Sequence, residues 1–130
     1  MKVIVDTPIW SLVLRRKSPA SPEAETLRKL WRDGDAALIG PVRQEVLSGV
    51  RDPQHFAALR EQLRVEPDYP LDIAHYERAA EIYNLCRGKG IQGSNVDFLI
   101  CAVSELDRLA IFTTDRDFQH YVRHLPINLL

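Results

Sequence analysis

Sulfur is scarce in this sequence, with two cysteines and one methionine in 130 residues. Cys86 and Cys101 sit inside apolar, helix-like segments and form no Cys-x-x-Cys pair. That spacing excludes a disulfide scaffold and a cysteine-built zinc site, and leaves buried free thiols in a reducing compartment as the expectation. No apolar run approaches the roughly 20 residues that a membrane span requires. The opening Met1-Lys2-Val3-Ile4-Val5 meets Asp6 at once, too short a run for a secretory leader, so a cytoplasmic protein without membrane attachment is expected. Net charge is nearly absent as well: 17 Lys and Arg against 18 Asp and Glu give −1. Any nucleic-acid surface must therefore be a local basic patch and not a basic protein as a whole. There is no internal repeat, low-complexity tract or linker, and the length suits one compact domain over residues 1–130.

Several chemical signatures are missing too. There is no Walker lysine motif and no Gly-x-Ser-x-Gly elbow. Gly88-Lys89-Gly90-Ile91-Gln92-Gly93 does spell GxGxxG, but it follows a long helical pattern where a dinucleotide fingerprint needs a strand. It reads as a helix stop and turn. His55, His75, His120 and His124 show no metal-binding spacing.

What is present is alternation. Lys2–Val5, Ala36–Ile39 and Leu109–Thr113 are short apolar runs bounded by breakers and read as strands, with Ile127–Leu130 as a final one and Val65–Glu66 as a short extra piece. Between them, helical spacing recurs from Pro8 to the closing Arg15-Arg16-Lys17, Ala24 to Trp31, Pro41 to Leu47, from Pro53, from Asp72 to Gly88, from Ser94, and from Asp115. Tyr76 and Tyr83, seven apart on one of these helices, read as a core or dimer-contact stripe. Strands alternating with helices predict an α/β fold with a mostly parallel sheet.

Open parallel sheets carry their sites beyond the carboxyl ends of the strands. Acids stand there. Asp6 follows the first strand, Glu45 lies a turn after the second, Asp115 and Asp117 follow the Leu109–Thr113 strand, and Asp97 is in the first turn of the Ser94 helix. Each has an ordinary alternative. Asp6 suits a helix cap, Glu45 a solvated face, Ser94-Asn95-Val96-Asp97 a capping box, and Asp115 and Asp117 a helix dipole. If they converge, their repulsion calls for a cation, and hard oxygen donors select magnesium or manganese over zinc.

Four segments carry a resemblance. Val3-Ile4-Val5-Asp6-Thr7, Glu45-Val46-Leu47-Ser48-Gly49, Asn95-Val96-Asp97-Phe98-Leu99-Ile100-Cys101-Ala102 and Thr113-Thr114-Asp115-Arg116-Asp117-Phe118 resemble, in order and spacing, the acidic motifs of PIN-domain proteins, in particular the VapC-type toxins of bacterial toxin–antitoxin pairs. The resemblance covers almost the whole chain. It implies a three-layer sandwich of helices around a mostly parallel sheet. It also implies a magnesium-dependent endoribonuclease, a homodimer and a cognate VapB-type antitoxin that blocks the site. Hydrolysis of RNA by a metal-activated water would leave a 5′-phosphate and a 3′-hydroxyl.

Carried over by position, Asp6 and Asp97 are the direct metal ligands. Glu45 and Asp115 hold the metal or orient its waters, and Asp117 supports them. Thr7, Ser94, Asn95 and Thr114, beside the acids, are candidate hydrogen-bond partners. Arg15, Arg16, Lys17, Arg87 and Lys89 are candidate contacts to the RNA backbone, with solvated helix-end charges as the alternative. Two rivals remain on the sequence alone. One is a magnesium-dependent phosphatase, against which Asp6-Thr7-Pro8 lacks a second acid; the other is a PIN-like binding module whose acids only cap helices.

Overall fold

The computed structural model describes residues 1–14 and 20–130. In chain order the elements are β1 (Val3–Val5), α1 (Thr7–Leu14), α2 (Pro22–Arg32), β2 (Ala36–Ala37), α3 (Gly40–Leu47), α4 (Pro53–Arg64), α5 (Ile73–Gly88), α6 (Asn95–Asp107), β3 (Ala110–Phe112) and α7 (Asp117–Tyr121). Three strands form one sheet in the order β2-β1-β3. Both pairings are parallel, with Ile4 opposite Ala37 on one side and Ile111 on the other. Parallel neighbours need helical crossovers, and these cover the sheet in an α/β sandwich.

The core follows from the apolar runs. Val3, Ile4 and Val5 are all buried, and Trp10 of α1 packs edge-on against Trp31 of α2 at 5.0 Å between ring centres. Its indole N–H donates to the Val5 carbonyl at 3.2 Å, so the one polar atom of a fully buried ring is satisfied. Helix α6 is buried along seven consecutive residues, Phe98 to Ser104, between α5 and the sheet. A helix apolar on nearly every side belongs inside.

Two expected strands are replaced. Val65 and Glu66 instead end α4: both N–H groups go to the Leu63 carbonyl, which leaves no N–H to offer a neighbouring strand. The expected final strand contracts to a parallel bridge between Ile111 and Leu129. Pro126 has no N–H, and the Ile127 N–H turns back to Leu125 at 2.9 Å, so pairing with β3 begins only at Asn128. The strand expected over Ala36–Ile39 is two residues long, because Leu38 accepts from Tyr69 N–H and Ile39 becomes the cap of α3.

Candidate functional site

With all three strands parallel, their carboxyl ends share one edge of the sheet, and the chain leaves each end through an acid-bearing segment. Asp6 directly follows β1; its N–H still pairs with the Phe112 carbonyl, and its own carbonyl starts α1 by accepting from Ile9 and Trp10. Glu45 is delivered by α3 after β2, and Gly49, at φ +85°, supplies the left-handed turn just after that helix ends. Asp97 stands in the first turn of α6, where Ser94 caps the helix by accepting its N–H at 3.0 Å. Asp115 lies between β3 and α7 and Asp117 opens α7, with the Asp117 N–H donating to Asp115 Oδ1 at 2.9 Å. Capping and convergence are therefore compatible. Asp6 and Asp115 accept N–H groups at the starts of α1 and α7 and still face the cavity.

One open cavity of about 930 Å³ is lined by Asp6, Glu45, Asp97, Asp115 and Asp117, together with Thr7, Ser94 and Thr114. Pro8, Ser11 and Leu12 of α1 and Gln92 and Gly93 of the α5–α6 turn complete its wall. Among the described residues, no Lys, Arg or His belongs to that lining.

Hydrogen bonds hold the acids. Asp6 Oδ1 accepts the Thr7 N–H at 2.8 Å, and Oδ2 accepts the Thr113 hydroxyl at 2.7 Å. Thr7 then donates its hydroxyl to Glu45 at 2.6 Å, tying the β1 edge to α3. The Thr113 oxygen in turn accepts the Asp115 N–H at 2.9 Å. On the opposite wall the Tyr121 hydroxyl lies within reach of Asp97 Oδ2 (3.1 Å) and the Gln92 carbonyl (3.2 Å).

Electrostatics mark the cost of this arrangement. Burial pushes the Asp6 carboxyl up from 3.8 to about 6; hydrogen bonds from Thr113 and Thr7 oppose the rise, and the charges of Asp97 and Asp115 add to it. Asp6 is only 3% exposed. Asp97 is raised as well, first by burial and then by Asp115, against the opposing hydrogen bonds of Tyr121 and Ser94. Tyr121 is pushed up by burial and by Asp97, so its phenol remains a hydrogen-bond donor.

A hard divalent cation suits these donors, which are carboxylate and hydroxyl oxygens with no thiolate or imidazole among them. Among the described residues no three His, Cys, Asp or Glu side chains already close on a common point. Oxygens spread around a roomy cavity fit a divalent cation that keeps several waters and takes few carboxylates directly. A cation there would also offset the burial, and the lesser repulsion, that raise Asp6 and Asp97.

The remaining candidates fall elsewhere. Asn95, expected beside the acids, lines a separate, mostly apolar groove with Pro41, Tyr76, Ala79, Ala80, Val96 and Leu99. Tyr76 is exposed at the rim of that groove, whereas Tyr83 packs edge-on against Phe98. Arg87 lines a smaller groove that adjoins the acidic cavity. Lys89 is an exposed residue at the end of α5. Arg15, Arg16 and Lys17 lie outside the described residues. Two polar groups of the site went unread in the sequence, Thr113 and Tyr121. For Thr113 there was a signal, a hydroxyl two residues before Asp115 at the end of a strand, the pattern of a side-chain turn.

Residues 3–123 match the PIN domain family. The chain belongs to the PIN-domain family. No curated protein matches it in sequence. Its fold is similar to two solved structures. One is FitAcB from Neisseria gonorrhoeae, with TM-score 0.77 and 18% identity over 98% of this chain and 96% of that one. The other is VapBC2 from Rickettsia felis bound to a DNA fragment from their promoter, with TM-score 0.77 and 19% identity over 100% and 97%. Among the described residues, no helix of this PIN domain is long and apolar enough to cross a membrane.

Proposed function

We propose that this PIN domain is a metal-dependent endoribonuclease, the toxin of a type II toxin–antitoxin pair. The observation that carries the reading is the single cavity lined by carboxylates from several separate elements. Such a cluster is destabilising in isolation, as the raised Asp6 and Asp97 indicate, and is tolerable once a cation is among them. Asp6 and Asp97 are the proposed direct ligands of magnesium or manganese; Glu45 and Asp115 are the further acids that hold it or orient water, with Asp117 in support. When bound, the ion would supply Lewis acidity toward a phosphodiester oxygen and acidify a water.

The chain's own part is to hold these oxygens still. Thr113 and Thr7 fix both oxygens of Asp6, so its rotation does not have to be frozen when the ion arrives. Thr7 also sets Glu45, and Tyr121 and Ser94 set Asp97. The fold shared with FitAcB and with VapBC2, the latter on promoter DNA, supports a small VapB-type antitoxin as partner. A homodimer and a cytoplasmic location belong to the same proposal.

The test is cleavage of structured RNA in magnesium, with and without chelator. Wild type is expected to cut only with the metal, and Asp6→Asn and Asp97→Asn are each expected to lose at least about 100-fold in rate while staying folded. Cleavage that persists in chelator, or that survives both substitutions, would overturn the reading. A folded wild type that cuts no RNA in magnesium would leave a non-catalytic PIN module in its place.

A further inference from the structure

The acidic cavity cannot by itself receive a polyanion along its length, because its described lining carries only negative charge and neutral groups. A cation must meet the strand somewhere beside it. The adjoining groove, about 430 Å³, is lined by Tyr83, Arg87, Gly90, Ile91, Gln92, Gly93 and Phe98. It shares Gln92 and Gly93 with the acidic cavity, so the two adjoin at the α5–α6 turn.

Glycines fix the shape of the turn that separates them. Ile91 N–H returns to the Cys86 carbonyl at 2.8 Å, and Gly90, at φ +74°, takes a left-handed conformation that a side chain would strain. At Gly93 a Cβ would stand 2.3 Å from the Tyr121 hydroxyl oxygen and 2.7 Å from Phe98 Cζ. Any larger residue would push Tyr121, which holds Asp97, and Phe98, which forms part of the groove. Arg87, in the last turn of α5, is exposed and forms no ion pair among the described residues. Acids do take up other arginines of the fold: Arg43 binds Asp68, and Arg78 binds Glu105.

We infer that this groove is the subsite for the nucleotide next to the scissile phosphate, with Arg87 on the flanking phosphate and Tyr83 against its base. The inference rests on the nuclease reading above and deepens it. Arginine supplies a forked donor to phosphate oxygens, and a half-buried aromatic ring accepts a base face without sequence preference. The strand would cross from positive to negative ground at Gln92–Gly93, which places the bond to be cut over the acids.

Binding and cleavage separate this inference from the reading beneath it. The probe is a fluorescein-labelled, mixed-sequence, single-stranded 12-nucleotide RNA, titrated in calcium for binding and followed in magnesium for single-turnover cleavage. Arg87→Ala is expected to weaken binding about 10-fold and to lower the slope of log affinity against log salt by about 0.7, one phosphate contact on a single strand. Arg87→Lys should keep the slope. Tyr83→Leu should weaken binding about 5-fold with the salt slope unchanged. Lys29→Ala, an exposed cation on α2, should alter neither.

In magnesium, the Arg87→Ala rate at saturating RNA should stay within about twofold of wild type, the loss falling on KM. Unchanged affinity and slope in Arg87→Ala, checked by circular dichroism to be folded, would overturn the inference whether or not the wild type cuts. Failure of the wild type to bind this RNA would overturn it too. A wild type that binds through Arg87 but does not cut would uphold the groove and sink the nuclease reading.

Discussion

Helix α6 has a cluster of acids and polar groups at each end, and the two are built on opposite rules. At its C-terminal end every carboxylate has a partner. Asp107 accepts the Tyr69 hydroxyl at 2.6 Å and faces His75 Nε2 at 3.0 Å, while His75 Nδ1 accepts the Asp72 N–H, which leaves the proton on Nε2 to donate. Two residues earlier, Glu105 takes the guanidinium of Arg78 on both oxygens. At the N-terminal end Asp97 shares a cavity with four other acids and, among the described residues, no cation. The paired end joins α5, α6 and the loop before α5, so its charges serve the fold. At the end without a cation, hydrogen bonds still tie the acids to the fold, but burial and their neighbours' charges raise the carboxyls of Asp6 and Asp97. Acids kept where they destabilise point to chemistry.

Breaking the paired end should have the larger effect on stability. Asp107→Ala strands the Tyr69 hydroxyl and the His75 N–H together, and is expected to cost roughly 3–4 kcal/mol in urea unfolding. RNA cleavage by the protein that remains folded should be unaltered.

At the other end the sign reverses. A carboxyl whose folded pKa lies above its ordinary value binds more protons folded than unfolded, so stability falls as pH rises between the two values. For Asp6 that window runs from 3.8 to about 6. In chelator, wild-type stability should therefore drop as pH climbs through this range and stay low above it, with Asp97 acting in the same direction. Asp6→Asn should flatten the profile and, since its amide NH2 cannot accept a bond that a carboxylate oxygen takes, stabilise the metal-free protein at pH 7 by only about 1–2 kcal/mol. Magnesium should restore stability to wild type and much less to Asp6→Asn, read as the shift in Tm with metal concentration. A wild-type profile that rises between pH 4 and 6 would contradict the picture of a repulsive pocket.

The smallest change sharpens the comparison at its edge. Tyr121→Phe removes the phenol from Asp97 and Gln92 and should cost about 1 kcal/mol of stability. It should also weaken magnesium binding severalfold, because Asp97 would lose a hydrogen bond that favours its ionised form. Calorimetry with magnesium reads both effects.

Much of the site was legible because the strands are so short. Val3–Val5 stops at Asp6, and the run ending at Phe112 stops just before Thr113-Thr114-Asp115, so acids at strand ends could be found by eye. Their convergence follows from parallel pairing, which alternation with helices already implied. Asn95 shows where linear proximity misleads. It is two residues from Asp97 on the same helix, a rotation of about 200°, and so looks away from the acids toward the α5 groove. Tyr121 was beyond reach for the converse reason: its position is set by the packing of α7 on Phe98, 23 residues earlier, and no local pattern encodes that contact. The missing strands failed on hydrogen-bond supply, since apolar residues at Val65 and Ile127 mark burial or β-propensity but do not say where an N–H is spent.

The bond between the Thr113 hydroxyl and Asp6 joins positions 107 residues apart. On the ribosome, Asp6 emerges early and waits for nearly the entire domain to be made before its neighbour across the pocket exists. The pocket therefore cannot be completed until the segment that carries Thr113 has been made, long after Asp6.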